Sequence, residues 1–210
     1  MNTVAALFVD PRGTYAGLPD VDLWDEARDA RRYPGPHPVV AHPPCSRWCQ
    51  LAKLVEYRYG YKRGDDGGCF ASALESVRRW GGVLEHPAYT HAWPAYGLTP
   101  PPRGGGWHLT LDGGWVCHVE QGRHGHAARK ATWLYAFGAR DLPKLHWGNS
   151  TAEENAGRAI VTWCKNRTFR NQHAKRIGKG KASATPIEFR DVLLAIARSV
   201  TTARAAGGAS

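Results

Sequence analysis

Three short apolar runs, separated by loops and one clear helix, constrain what this chain can fold into. Residues 4–9 are continuously apolar, residues 38–41 form a second run, and Val83 and Leu84 form a third that ends on Glu85. Runs of this length are typical of strands that are buried on both faces. Between the second and third runs, Cys69–Trp80 carries its apolar side chains on one helical stripe and is followed by two glycines. This alternation predicts an α/β fold built on a parallel sheet.

Residues 88–147 differ in character, since they are rich in Trp, Gly and Pro and lack an amphipathic helical pattern. Within them, residues 107–111 and 115–119 flank an Asp-Gly-Gly turn at 112–114, which predicts a β-hairpin. Residues 132–137 are predicted to form a further strand. We therefore expect a β-rich insert beside the parallel sheet.

Three more segments are predicted to be helical. Asp22–Arg32 is highly charged, a helix is expected to begin at Cys45 or Ser46, and residues 185–188 (Thr-Pro-Ile-Glu) resemble a capping box that opens a last helix. The expected organisation is an α/β catalytic core at 1–87, a β-rich recognition segment at 88–147, a basic segment with a C-terminal helix that completes the core at 148–204, and a disordered tail at 205–210.

The charge balance favours a polyanionic partner such as DNA. Lys and Arg number 28 against 18 Asp and Glu, and the isoelectric point is about 9.6. A basic surface that only aids solubility gives the same count, so that alternative stays open. Residues 155–187 hold eight Lys and Arg and no Asp or Glu. The residues expected to contact DNA phosphates are Arg47, Arg167, Arg170, Lys175 and Arg176.

Several classes of protein are excluded by features that the sequence lacks. No apolar run approaches the roughly 18 residues of a membrane span, so no membrane association is expected. The N-terminus has no basic leader, which argues against a signal peptide. The five cysteines are odd in number, widely spread and without a CxxC pair. They therefore indicate reduced thiols in the cytoplasm rather than a disulfide framework.

Cys45 has the strongest local signal for chemistry. It follows a predicted buried strand and two prolines, at a predicted helix N-terminus whose dipole would lower the thiol pKa. Glu85 ends a later predicted strand, and the carboxyl ends of parallel strands share one edge of a sheet. We therefore expect Cys45 and Glu85 to face one pocket. The alternatives are a cysteine that only packs in the core and a glutamate in a surface turn.

These residues resemble the motifs of DNA cytosine-5 methyltransferases. Residues 43–45 are similar to the Pro-Pro-Cys loop of that family, and residues 84–87 (Leu-Glu-His-Pro) to its Glu-Asn-Val or Glu-Asn-Pro motif. Gln121 and Arg123 are similar to the start of its Gln-x-Arg-x-Arg motif. The segment 119–126, with those that follow it up to residue 145, resembles small bacteriophage proteins described as methyltransferase-like.

The resemblance implies a reduced Rossmann-like parallel sheet with a β-rich insert and a C-terminal helix, and an enzyme that modifies a pyrimidine base in DNA. Cys45 would add to C6 of the base and Glu85 would act as the acid at N3, with Gln121 and Arg123 as further catalytic residues. A base in a duplex must first be flipped out of the stack. A phage-encoded protein of this kind would act in the host cytoplasm.

The resemblance also implies a methyl donor, S-adenosylmethionine, bound by Phe8, Asp10, Gly13 and Asp22. The family's Phe-x-Gly-x-Gly loop is replaced here by Phe-Val-Asp-Pro-Arg-Gly at residues 8–13. Asp and Pro stand where glycine would give the donor close access to the backbone, which predicts weak binding. Two other functions stay open: pyrimidine C5 modification with a different donor, and a non-catalytic DNA-binding protein that keeps the scaffold.

Two groups of side chains have the atom types of a zinc site. The first is His42, Cys45, Cys49 and Cys69, and the second is Cys117, His118, His124 and His126. Two prolines stiffen the first group, and no second ligand pair at a fixed spacing follows it. Alternating strand residues and loop histidines explain the second group, so no metal is expected.

Overall fold

A seven-stranded mixed sheet lies at the centre of the structure, a computed structural model that describes residues 3–50, 52–156, 158–159 and 177–201. The strands are β1 (Val4–Leu7), β2 (Val21–Trp24), β3 (Val39–Ala41), β4 (Gly82–Pro87), β5 (His108–Leu109), β6 (Trp115–Glu120) and β7 (Ala131–Phe137). Their order across the sheet is β2-β1-β3-β4-β7-β6-β5.

The first four strands are parallel, and the last three continue the same sheet. β2, β1, β3 and β4 pair in parallel. β7 runs antiparallel to β4, and β6 runs antiparallel to β7, so β6 points the same way as the first four strands. The carboxyl ends of β1, β3, β4 and β6 therefore meet at one edge, together with the amino end of β7. We call this edge, marked by Phe8, His42, Glu85 and Gln121, the carboxyl edge.

Helices cover both faces of the parallel strands. α2 (Cys69–Trp80) packs on one face and α6 (Ile187–Arg198) on the other. Because strand side chains alternate, Val39 belongs to the core beneath α2 and Val40 to the core beneath α6. Burial on both faces explains why these strands are continuous apolar runs.

The remaining helical elements are short. They are α1 (Ala52–Tyr59), α3 (Ala92–Ala95), α4 (Ala152–Asn155), α5 (Lys179–Ser183) and two 3-10 turns, Ala30–Arg32 and Gln121–His124. Within the described ranges, no helix has the length and apolar character needed to cross a membrane.

Gly82 allows β3 and β4 to approach each other. It is the first residue of β4 and pairs with Val39. Its φ is +123°, and a Cβ atom there would lie 1.9 Å from the Val39 carbonyl oxygen. A side chain at this position would therefore push apart the two strands that lead to Cys45 and Glu85.

Several predictions of the sequence analysis are confirmed. The α/β class, the helix at Cys69–Trp80 and the hairpin around residues 112–114 are all present. The hairpin is closed by the Thr110 N–H, which donates to the Gly114 carbonyl at 2.8 Å. The strands expected from the apolar runs and from residues 132–137 are β1, β3, β4 and β7.

Other local predictions are wrong. Asp22–Arg32 is not a helix, because β2 covers its start by pairing with β1 and a 3-10 turn follows. No helix begins at Cys45 or Ser46, since turns occupy residues 46–50 and α1 is described only from Ala52. The cause in both cases is tertiary context, which local patterns do not contain.

The strands expected in an insert join the main sheet instead. β7 pairs with β4 along its whole length, and β6 and β5 follow outward from it. The fold is therefore a mixed sheet rather than a parallel sheet with an insert beside it. At the C-terminus the predicted last helix is present as α6, but the capping box predicted at residues 185–188 is wrong, because α6 begins at Ile187, Pro186 is its N-cap and no side chain caps it.

Candidate active site

The loop after β3 carries Cys45 to the carboxyl edge of the sheet. The His42 N–H donates to the Leu7 carbonyl at 3.0 Å, so the chain leaves β3 alongside β1. After two prolines, the N–H groups of Trp48 and Cys49 both donate to the Cys45 carbonyl at 2.9 Å. Cys45 is half-buried. Its backbone is thus fixed on both sides, while part of the residue is open to a ligand.

A buried hydrogen-bond network holds Glu85 at the same edge. Glu85 is 7% exposed. The Gln121 Nε2 donates to one of its carboxylate oxygens at 2.8 Å, and the His42 Nδ1 lies 3.0 Å from the other. The network extends from His42 to the Tyr15 hydroxyl at 2.9 Å and from Gln121 to the Thr132 hydroxyl at 3.0 Å. Segments that are distant in the sequence therefore converge on one carboxylate.

Glu85 is ionised at neutral pH in spite of its burial. Burial raises its pKa, but the hydrogen bond with His42 and the positive charge of Lys130 outweigh this effect, and the pKa falls to about 2. Lys130 directly precedes β7, and its Nζ donates to the carbonyls of Ser183 and Ala184. Burial lowers the pKa of Lys130, whereas the negative charges of Glu85 and Cys45 act in the opposite direction. Glu85 and Lys130 are thus an electrostatic pair beside Cys45.

The Cys45 thiol has a raised pKa, contrary to the expectation from a helix dipole. Burial is the main cause, Cys49 and Glu85 act in the same direction, Lys130 opposes them, and the pKa reaches about 11. The expected lowering required a helix that begins at Cys45, and no such helix exists. At neutral pH, Cys45 and Glu85 therefore hold one proton between them, and it lies on the sulfur.

Backbone strain concentrates at the carboxyl edge. Within the described ranges, Phe8, Asp29, Tyr89 and Lys130 are the non-glycine residues with positive φ. Phe8 directly follows β1, Tyr89 lies just after β4, and Lys130 directly precedes β7. Such conformations cost about 1–3 kcal/mol each and cluster at functional sites. Their position is independent evidence for a functional site at this edge.

Gln121 and Arg123 share the 3-10 turn after β6 but make different contacts. Gln121 is fully buried and bonds Glu85. Arg123 forms an ion pair with Glu154 at 3.0 Å and donates to the Trp147 carbonyl. Of the two residues, Gln121 contacts Glu85, whereas Arg123 ties the turn to α4.

Of the four residues expected to bind a cofactor, three lie in the loop between β1 and β2, and the fourth, Asp22, lies in β2. Phe8 packs against the core beneath α2, and Asp10 is exposed. The Gly13 N–H donates to the Asp10 carbonyl at 2.8 Å, which closes a turn. Asp22 lies inside β2, and its carboxylate accepts a hydrogen bond from Arg28 at 2.6 Å. Because the Asp10–Gly13 turn uses its own backbone groups and the Asp22 carboxylate is already paired with Arg28, these residues fit S-adenosylmethionine poorly.

Of the residues expected to contact DNA, Arg47 is the one that the structure describes. Its guanidinium lies 3.9 Å from the centre of the Tyr61 ring. The other four, Arg167, Arg170, Lys175 and Arg176, lie outside the described residues.

Neither of the candidate zinc groups forms a metal site. In the part of the chain that the structure describes, no group of three or more His, Cys, Asp or Glu is arranged to hold a metal ion. His42 is engaged with Glu85 and Tyr15 instead. In the second group, Cys117 is fully buried, and His118 Nδ1 accepts from the Trp133 Nε1 at 3.2 Å.

Sequence reasoning missed Tyr15, Lys130 and Thr132, and it considered His42 only as a metal ligand. Tyr15 comes from the loop between β1 and β2, where no motif marks it. Lys130 and Thr132 lie at the amino end of β7, which meets the carboxyl edge only because β7 is antiparallel. The sequence could have placed His42 in the site, because it directly follows the predicted strand at residues 38–41 and therefore lies at the same edge of the sheet as Cys45.

Comparison with known proteins adds no family to this geometry. No protein-family model matches the chain, and no curated protein matches it. The function of the chain is therefore inferred from its residues and their arrangement.

Proposed function

We propose that the chain is an enzyme that modifies a pyrimidine base in DNA at C5, after the sulfur of Cys45 adds to C6. This is the chemistry of the DNA cytosine-5 methyltransferases that its motifs resemble. One observation carries the proposal: Cys45, Glu85 and Gln121 come from three separate segments to one edge of the sheet, where Gln121 holds Glu85 at 2.8 Å. A nucleophile and a fixed acid–base group at one edge are the parts that this reaction requires.

The strand order supports a reduced Rossmann-like scaffold. β2 lies on one side of β1, and β3 lies on the other, so the direction of the chain across the sheet reverses after β2. In α/β sheets, ligands bind at the carboxyl ends of the strands beside such a reversal. The loops that carry Phe8 and Cys45 flank this position. A flipped base would therefore enter between them.

The addition step balances with the one proton that the site already holds. As sulfur bonds to C6, the thiol loses its proton, and the electron pair of the C5–C6 double bond moves towards C4. The C4–N3 electron pair moves onto N3, which takes up the proton. In this proposal the sulfur proton becomes acidic and N3 becomes basic only as the C–S bond forms, and the proton then passes to N3 by way of Glu85, while Lys130 stabilises the negative charge that develops. The product is a neutral adduct with a nucleophilic C5.

The geometry near β1 and β2 favours a variant of this function, in which the donor is not S-adenosylmethionine. Asp22 is already paired with Arg28, and the turn from Asp10 to Gly13 is closed by its own hydrogen bond. These residues do not fit that donor. The step that the residues at the carboxyl edge support is the addition of sulfur to C6.

We also place the activity in the cytoplasm, or in the host cytoplasm if a phage encodes the protein. The supporting observation is that the four cysteines that the structure describes, Cys45, Cys49, Cys69 and Cys117, are free. A reducing compartment keeps Cys45 available as a nucleophile.

A DNA strand that carries 2-pyrimidinone in place of cytosine tests the addition without any donor. This ring lacks the 4-amino group, so C6 is more electron-poor and a thiol adds to it more readily. With a mixed-sequence duplex pool, the wild type should form a complex that survives denaturation. Its mass should equal the sum of protein and strand, because the addition releases no atom.

Cys45→Ala should abolish this complex. Cys49→Ala is the matched control, since it removes another half-buried cysteine four residues away, and it should leave the complex intact. An equal yield from Cys45→Ala, or no complex from the wild type, would contradict the proposed function.

A further inference from the structure

The segment from Arg47 to Arg63, which follows Cys45, exposes an unusual number of aromatic rings. Tyr57, Tyr59 and Tyr61 have exposed fractions of 88%, 67% and 51%. Tyrosine rings are usually at least half-buried, because each offers a large apolar surface. Three on one short segment therefore need a physical reason.

Positive charge surrounds these rings. The segment holds five cations, Arg47, Lys53, Arg58, Lys62 and Arg63, against the single acid Glu56. Lys53, Arg58, Lys62 and Arg63 are exposed. Among the described residues, no ion pair includes any of these five side chains. The segment thus combines unneutralised charge with open ring faces.

The segment already shows how a flat group packs on its rings. The Arg47 guanidinium lies 3.9 Å over the Tyr61 ring. The Tyr61 and Tyr59 ring centres are 6.3 Å apart, with an angle of 32° between the planes. Arg47, Tyr61 and Tyr59 therefore form a partial stack that can continue onto another planar group.

Both ends of the segment are anchored beside the candidate active site. Trp48 is buried, and its Nε1 donates to Asp66 at 2.7 Å. The Gly64 N–H donates to the Arg47 carbonyl at 3.0 Å, which returns the end of the segment to within two residues of Cys45. A strand held on this surface would therefore lie next to the Cys45 loop.

We propose that the surface of Arg47–Arg63 binds an unpaired stretch of a nucleic acid strand, with bases stacked on Tyr57 and on Tyr59, which extends the stack of Arg47 and Tyr61, and with phosphates near the surrounding cations. Every base has a flat π face, and aromatic rings in a basic surface are the usual means of holding single strands. A duplex hides these faces in its own stack. The inference rests on the proposed function only for its link to base chemistry at Cys45, since strand binding does not need the thiol.

Fluorescence anisotropy with a labelled oligothymidine of 15 nucleotides tests this surface. We expect Tyr57→Ala/Tyr59→Ala to weaken binding by about 30-fold or more, since each of the two lost base–ring stacks contributes about 1–3 kcal/mol. Tyr57→Phe/Tyr59→Phe keeps the rings and should bind within about twofold of the wild type. Both positions are exposed, so unfolding by heat should be little changed.

A second pair of variants tests the charges. Lys53→Ala/Arg58→Ala should flatten the dependence of log K on log salt by about 1.4, because each of the two phosphate contacts to a single strand contributes about 0.7. Arg12→Ala/Arg32→Ala removes two exposed cations outside the segment and should leave the slope unchanged.

Equal affinity of the Tyr→Ala variant and the wild type would overturn the inference. An equal loss of duplex and single-strand affinity in the Tyr→Ala variant would also overturn it, because that result would show that the rings do not stack on unpaired bases. A uridine oligomer of the same length tests whether the bound strand is DNA or RNA. If it binds more tightly than oligothymidine, the surface is assigned to RNA. Cys45→Ala should bind the strand like the wild type, so this test and the adduct test can fail separately.

Discussion

His86 is a buried neutral histidine, and its replacement should remove part of the protein's sensitivity to acid. It is fully buried, with ring centres 5.2 Å from Phe70 and 6.3 Å from Trp93. Both ring nitrogens are buried, and no side chain among the described residues hydrogen-bonds either of them. Burial lowers its pKa to about 4, although the charge of Glu85 acts in the opposite direction. His86→Leu keeps an apolar side chain there and removes the titration.

The sign and the size of the effect follow from the two pKa values. In the unfolded chain the His86 pKa lies near 6.5, so the unfolded chain takes up a proton at a higher pH than the folded chain. This group therefore destabilises the fold as the pH falls below 6.5, and its effect is complete below about 4. The stability lost through His86 is about 2 kcal/mol at pH 5 and about 3 kcal/mol at pH 4.

Urea denaturation at pH 7.5 and pH 5 measures this difference. The free energy of unfolding of His86→Leu should fall about 2 kcal/mol less between the two pH values than that of the wild type. Phe70→Leu is the control, because it loosens the same core without removing a titrating group, and it should fall as much as the wild type. An identical fall for His86→Leu and the wild type would refute the reasoning.

Two further perturbations act on the charge beside Cys45 and on the sheet beneath it. Lys130→Met should raise the pKa of the Cys45 thiol and slow its alkylation by iodoacetamide at pH 9 several-fold, whereas Lys130→Arg should not, and equal rates in peptide mass spectrometry would argue against this charge effect. Gly82→Ala should destabilise the fold by about 3 kcal/mol or more in urea, because its Cβ would collide with the Val39 carbonyl. Gly17 also has a positive φ, +75°, but no atom lies within 4 Å of its Cβ position, so Gly17→Ala should cost about 1 kcal/mol, and equal costs would show that the collision is absent.

The sequence predicts the buried strands well and the edge strand poorly. β1 and β3 are covered on both faces and are wholly apolar, and β4 is apolar up to Leu84, so the pattern is visible. β2 lies at the edge of the sheet and is half-exposed throughout. Its acidic residues therefore resemble those of a surface helix, and only its pairing with β1 shows that it is a strand.

The positions of Cys45 and Glu85 could be predicted, but their protonation could not. The rule that parallel strands share a carboxyl edge applies from sequence alone. The pKa values depend on burial and on Lys130, which arrives from an antiparallel strand 45 residues after Glu85. A local sequence pattern shows neither the burial of a side chain nor a charge that comes from a distant strand. For this reason the helix dipole predicted a lowered pKa for the Cys45 thiol, whereas the structure raises it.

Exchange of the C5 hydrogen of cytosine with solvent tests the central claim most directly, because it requires the Cys45 adduct but no donor. The adduct has a nucleophilic C5, which takes a proton from water and then loses the original hydrogen when sulfur leaves. With DNA tritiated at C5 of cytosine, we expect the wild type to release tritium into water and Cys45→Ala to release none above background. Glu85→Gln should reduce the rate about 100-fold or more, since proton transfer of this kind contributes about 10²–10⁴. Equal release by the wild type and Cys45→Ala, or none by wild-type protein bound to the DNA, would contradict covalent catalysis by Cys45.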